Sequence, residues 1–180
     1  MPPSDDVLQY LPQIKKITMF CYLGDDQLDH ILQRVKIVRF SKGETIVTQG
    51  DISQYLFAII KGKVHVSFTD GVGKEIFICD IHKGEVFGEA GMFMAEKRMA
   101  NVISAGETIA LRLHRKDMIT FIRKEPHAGN KILMLIVYSL LNKLRSVNRE
   151  LAFEKQAEVN MEYMDSIIQD FMTETDTEYE

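Results

Sequence analysis

"VKIVRFSKGETIVTQGDISQYLFAIIKGKVHVSFTDGVGKEIFICDI", residues 35–81, is where the chain changes its period. Just ahead of it, "GDDQLDHILQRV" places Leu28, Ile31, Leu32 and Val35 at helical spacing behind a candidate cap at Asp25. From Lys36 the pattern is short runs of β-branched and aromatic residues: VKIVRF, ETIVTQ, YLFAII, KVHVSFTD and KEIFICDI. Two more, RMANVISA and ETIALRL, follow further on. Turn signals separate the runs at Lys42–Gly43, Gly50–Asp51, Lys61–Gly62, Asp70–Gly73, Lys83–Gly84 and Ala105–Gly106. Strands repeated at this spacing predict an α+β fold built on a β jelly-roll barrel of about eight strands. N-terminal helices precede the barrel and a long C-terminal helix follows it.

That helix begins after "HRKDMITFIRKEP", itself a helix that Pro126 ends. From Asn130 to about Asn160, Leu133, Val137, Leu140, Leu144, Val147 and Leu151 recur at alternating steps of four and three. This is a heptad seam of about 27 Å at 1.5 Å per residue. Ile132, Leu135, Ile136 and Leu141 form a second apolar face suited to the barrel. A helix apolar on two sides is expected to be covered on both, so the seam predicts a homodimer; packing wholly on its own barrel is the alternative. "MEYMDSIIQDFM" then sets Met161, Met164, Ile168 and Phe171 on one face, either as a strut or as a partner-facing element. The expected divisions are 1–34 (N-terminal helices), 35–126 (barrel and following helix), 127–160 (long helix) and 161–180 (short amphipathic helix and acidic tail). The last residues, "TETDTEYE", are expected to be disordered.

Composition narrows the function. The chain has 180 residues, 46% of them apolar and 27% charged, which suits a globular protein with its own core. The longest apolar run, Ile132–Val137, is far too short for a bilayer, and "MPPSDDVLQY" lacks the features of a signal peptide. Cys21 and Cys79 lie in unrelated segments and read as free thiols of a reducing, cytoplasmic compartment. The net charge of −4 is uneven: residues 154–180 hold nine acids and one base. An acidic tail on a mildly basic body argues against nucleic-acid binding, which needs clustered positive charge.

Catalysis finds no support. The five histidines, His30, His65, His82, His114 and His127, are scattered, and neither a His-x-His pair nor a Cys-x-x-Cys occurs. Gly71–Val72–Gly73–Lys74 lacks the gap of a P-loop, and Gly-x-Ser-x-Gly is absent. The expectation is a non-enzyme with no catalytic residues, no metal and no cofactor.

The chemistry concentrates instead in "FGEAGMFMAEKRMANV", Phe87 to Val102. Gly88 allows close backbone approach, and Glu89 to Met94 is long enough for about one helical turn. Arg98 offers a planar five-donor fork that suits a phosphate. Glu89 accepts hydrogen bonds and suits a sugar hydroxyl. On spacing alone a phosphorylated sugar and an internal Glu89–Arg98 ion pair stay equally open.

"KGEVFGEAGMFMAEKRMANV" resembles the phosphate-binding cassette of the cyclic-nucleotide-binding domain family, with Phe87–Gly88–Glu89, a short helix, and Arg98–Met99–Ala100. "ITMFCYLGDDQLDHILQRVKIVRFSKGETIVTQGD" and "LFAIIKGKVHV" resemble that family's opening helix, first strands and next hairpin, so roughly residues 14–155 are covered. The resemblance implies a cyclic nucleotide as ligand, with cyclic AMP first. Glu89 would accept from the ribose 2′-hydroxyl, and Arg98 would neutralise the cyclic phosphate. Amides near Gly88, Ala90 and Ala100 would share its oxygens. Val66 and Ile78 would line the base and sugar side, and Val147 and Asn148 of the long helix would lie near the base. Met99 stands where several members carry Ser or Thr, which argues against cyclic GMP; a cyclic dinucleotide stays an alternative ligand. The family's transcription factors continue into a winged helix-turn-helix of about 60 residues or more, whereas 27 residues of net acidic charge follow Phe153 here. The expectation is therefore a sensor without a DNA-binding module that signals to an unknown effector protein, or else a ligand-free dimeric scaffold of the same fold.

Overall fold

The computed structural model describes residues 3–94 and 96–176, with the side chains at 150, 154, 157–160 and 162–176 left out. Three short helices open the described chain: α1 (Asp5–Leu8), α2 (Leu11–Ile14) and α3 (Asp25–Leu32). The cap of α3 is Gly24, whose N–H donates to Gln27 Oε1 at 3.2 Å, so Asp25 is the first helical residue and not the cap. Asp25 instead pairs with Lys15 at 2.7 Å, which holds its carboxyl below the usual carboxylate range.

Eight strands follow among the described residues: β1 (Val35–Phe40), β2 (Thr45–Val47), β3 (Tyr55–Lys61), β4 (Lys63–Thr69), β5 (Glu75–His82), β6 (Val86–Phe87), β7 (Asn101–Ser104) and β8 (Thr108–His114). They form two four-stranded antiparallel sheets, ordered β1-β8-β3-β6 and β2-β7-β4-β5. This is the strand order of a jelly roll, as the turn spacing predicts. Strand β6 is the one the sequence pattern does not reveal, because two residues carry no alternation.

The core has two parts. Phe57, Ile59, Val64, Ile81, Phe87 and Val102 cluster together, drawing on both sheets. Leu56, Ala58 and Ile60, on the opposite face of β3, pack with Ile14, Leu28, Ile31, Met118, Phe121 and Ile132. Buried from both sides, β3 reads as the continuous apolar run YLFAII instead of alternating. Burying each Leu or Ile stabilises the fold by about 1.5–3 kcal/mol. Gly62, at φ 87°, turns β3 into β4 so tightly that a Cβ would lie 2.4 Å from the Glu107 carbonyl.

Helix α5 (Arg115–Lys124) is followed by α6 (Pro126–Asp176). Pro126 opens the second helix as well as closing the first: at a helix start its missing N–H removes no bond. Helix α6 is continuous through Asn160, where the sequence reading separated a short amphipathic piece; no proline or glycine follows Lys131 to interrupt it. Thr173–Asp176, expected to be disordered, are helical, and 177–180 lie outside the described residues. By contacts the chain divides into two compact units, 1–139 and 140–180. In the first, Ile132 and Ile136 are buried and Leu133 and Leu135 half-buried, while Val137 is exposed. In the second, Leu140, Leu141, Leu144, Val147 and Leu151 are all exposed. No helix among the described residues is long and apolar enough to cross a membrane.

Candidate functional site

The connection from β6 to β7 crosses from one sheet to the other. It is anchored at its start by Phe87, which is buried and stacked on Phe57 with ring centroids 5.0 Å apart. The ring therefore serves the core beneath the site. Gly88 follows with φ 84°, and a Cβ there would lie 2.7 Å from the Tyr55 carbonyl. Only glycine takes that conformation in that space. The chain then makes α4 (Glu89–Phe93), the single turn expected from the spacing. Five residues give little dipole, so positive charge at this end rests on Arg98.

Arg98 is 7% exposed. Its Nη1 donates to the Gly88 carbonyl at 3.0 Å, and its Nη2 donates to the Tyr55 carbonyl at 2.7 Å and to Ser53 Oγ at 3.2 Å. These bonds use three of the five guanidinium donors. Nε is buried and has no hydrogen-bond partner among the described residues. Burial lowers the Arg98 pKa, and the nearby Glu89 carboxylate acts in the opposite direction by favouring the charge. The guanidinium stays ionised, since even a lowered arginine remains protonated at neutral pH. It is thus a desolvated cation held by neutral acceptors, with a donor still to be met.

The backbone of Arg98 is fixed as well. Its N–H donates to the Asp51 carbonyl and its carbonyl accepts from Gly50 N–H, both at 2.8 Å. Next in the chain, Gln49 N–H donates to Asn101 Oδ1 at 2.8 Å, and Asn101 Nδ2 donates to Thr69 Oγ1 at 3.1 Å. Three residues escape sequence reasoning: Ser53, Tyr55 and Gly91. A Cβ on Gly91 would lie 2.5 Å from the Ser53 carbonyl and 2.7 Å from Arg98 Nη1. The repeated glycine in "FGEAG" was a visible signal for the last of these; a lone Ser and Tyr outside the motif offered none.

The structure brings Phe87, Gly88, Glu89 and Arg98 together. Ala90 lies exposed on α4, Met99 is 73% exposed beside Arg98, and Ala100 is half-buried at the entry to β7. Val66 on β4 is half-buried and pairs with Val102 and Cys79. Ile78 on β5 is 41% exposed and falls within the register shift between Val66 and Ser67. Asn148 belongs to the unit 140–180 and is exposed. Among the described residues no group of three or more His, Cys, Asp or Glu is placed to hold a metal ion.

Residues 37–125 match the cyclic nucleotide-binding domain family. The cyclic AMP receptor protein of Thermus thermophilus is 28% identical over 138 residues, covering 77% of this chain and 62% of that protein. Human cGMP-dependent protein kinase 2 is 29% identical over 103 residues, which are 57% of this chain and 14% of the kinase. The chain thus spans less than two thirds of either relative. A solved cyclic nucleotide-binding domain from Methylobacillus flagellatus shares the fold with a TM-score of 0.72 at 20% identity, over 82% of this chain and 83% of that one. The solved catabolite activator protein of T. thermophilus gives 0.65 at 27% identity, over 76% of this chain and 62% of that one.

Proposed function

We propose that this chain, which belongs to the cyclic nucleotide-binding domain family through residues 37–125, is a cytoplasmic sensor of a cyclic mononucleotide, cyclic AMP first, that passes its occupancy to a partner protein. One observation carries the reading: Arg98 is buried as a cation on carbonyls and a hydroxyl, and its Nε meets no acceptor among the described residues. A cyclic phosphate supplies the missing acceptor and adds its negative charge beside the guanidinium.

Around that contact, Glu89 accepts from the ribose 2′-hydroxyl, and the amides near Gly88, Ala90 and Ala100 share the phosphate oxygens. Val66 and Ile78 line the base and sugar side. Met99 offers no hydroxyl, so a guanine amino group loses one hydrogen bond there, which favours adenine. The exposed seam of Val137, Leu140, Leu144, Val147 and Leu151 is covered by a second copy in a homodimer, to which Leu133 also contributes. Signalling requires that the nucleotide bind one conformation more tightly than another.

Calorimetric titration of ligand-stripped protein with cyclic AMP, cyclic GMP and a cyclic dinucleotide tests this. Tight binding of cyclic AMP, lost in Arg98→Ala, is the expected outcome. No heat with any of the three would leave a dimeric scaffold as the reading, and sedimentation at micromolar concentration would then test its dimer.

A further inference from the structure

The segment from Gly50 to Tyr55 grips Arg98 at every level. Two backbone bonds hold its main chain through Gly50 and Asp51, and Tyr55 offers a carbonyl to its side chain. Of the three acceptors on the guanidinium, Ser53 Oγ is the one contributed by a side chain. The same residue's carbonyl lies against Gly91, where there is no room for a Cβ. Ser53 therefore touches both the phosphate-end arginine and the turn of α4 beside it.

We infer that Ser53 is a positioning residue for Arg98, fixing the guanidinium rotation that leaves Nε and one Nη1 hydrogen for the ligand. This rests on the cyclic-nucleotide reading of the same site. The chemistry of the partner matters. A carboxylate at this place would neutralise the arginine and compete with the phosphate. A hydroxyl orients the group and leaves its charge available. Without the hydroxyl, Nη1 keeps its bond to Gly88 and Nη2 keeps one, to Tyr55, so the guanidinium is held at two points in place of three and gains freedom to tilt. The ligand must then remove that freedom at its own expense in affinity.

The test compares wild type, Ser53→Ala and Ser53→Thr by calorimetry with cyclic AMP and by the Arg98 Nε–Hε resonance in ligand-free protein, assigned by its loss in Arg98→Lys. Ser53→Ala is expected to weaken binding roughly tenfold and to shift and broaden the Nε–Hε signal, with melting unchanged. Ser53→Thr is expected to restore both. Wild-type affinity and an unmoved resonance in Ser53→Ala would overturn the assignment. So would a fall in melting temperature that Ser53→Thr fails to restore, since that marks a purely structural role. If wild type binds no nucleotide at all, the functional reading fails, while the Nε–Hε signal still decides for or against Ser53.

Discussion

Arg98 and Ile78 belong to opposite ends of the proposed site, and their surroundings differ. Arg98 is 7% exposed, and its side chain is bound to atoms of Gly88, Ser53 and Tyr55. Ile78 is 41% exposed, lies in a register shift on an edge strand, and has Ile76 and Phe77 beside it, 45% and 62% exposed. The end assigned to the phosphate is held in place by the protein's own atoms. The end assigned to the base is apolar and half open. A charge is recognised by fixed donors, and fixing them after binding would cost affinity. An aromatic base needs apolar cover more than geometry, and an open flank lets other cover contribute.

The sharpest way to break this comparison is Arg98→Ala. It should cost about 3 kcal/mol or more of nucleotide binding, read by calorimetry, and unchanged affinity would end the assignment of a phosphate end. Gly88→Ala comes next. A Cβ 2.7 Å from the Tyr55 carbonyl at φ 84° introduces strain of about 1–3 kcal/mol. It should lower the melting temperature by several degrees, about 2–4 °C per kcal/mol, and displace an acceptor of Arg98. At the other end, Ile78→Ser should weaken cyclic AMP by only about fivefold, in keeping with loss of a part-exposed apolar contact, with melting little changed. A loss as large as that of Arg98→Ala would mean the two ends are built alike.

The smallest effect concerns the outer face of β4 and β5. Lys63 at 2.9 Å, and then His65, hold the Asp80 carboxyl below the usual carboxylate range. A carboxyl pKa lower in the folded than the unfolded chain stabilises the fold above about pH 4, and that contribution is lost as pH falls through the folded value. The group is near the surface, so the contribution is small. Asp80→Asn should lower the melting temperature slightly at pH 7, with the difference from wild type shrinking as the pH falls below about 4, in paired thermal scans.

Much of the two-sheet jelly roll was legible in the sequence because its turns are marked. Six glycines sit at positive φ, and five of them occupy turns that the spacing had set between strands. The sixth, Gly88, marks the site itself. What stayed hidden has physical reasons. Strand β6 is too short for any period, and Pro126 reads equally as a stop and as a start. At the site, Glu89 and Arg98 were visible as costly residues in a buried run. Ser53 was not, because its bond to Arg98 spans 45 positions and leaves no local pattern.

The strand order also sets a timetable. Strand β1 hydrogen-bonds to β8, with Val35 opposite Leu113, and β2 to β7. Neither of the first two strands can close its ladder until residues 101–114 exist. At a synthesis rate of about 5–20 residues per second, the interval between Phe40 and Thr108 is roughly 3–14 s. Through that time the apolar run of β3 emerges without its β8 neighbour. The nascent chain is therefore most exposed to aggregation before the last strand appears, and it is then that a chaperone holding unpaired strands would matter most.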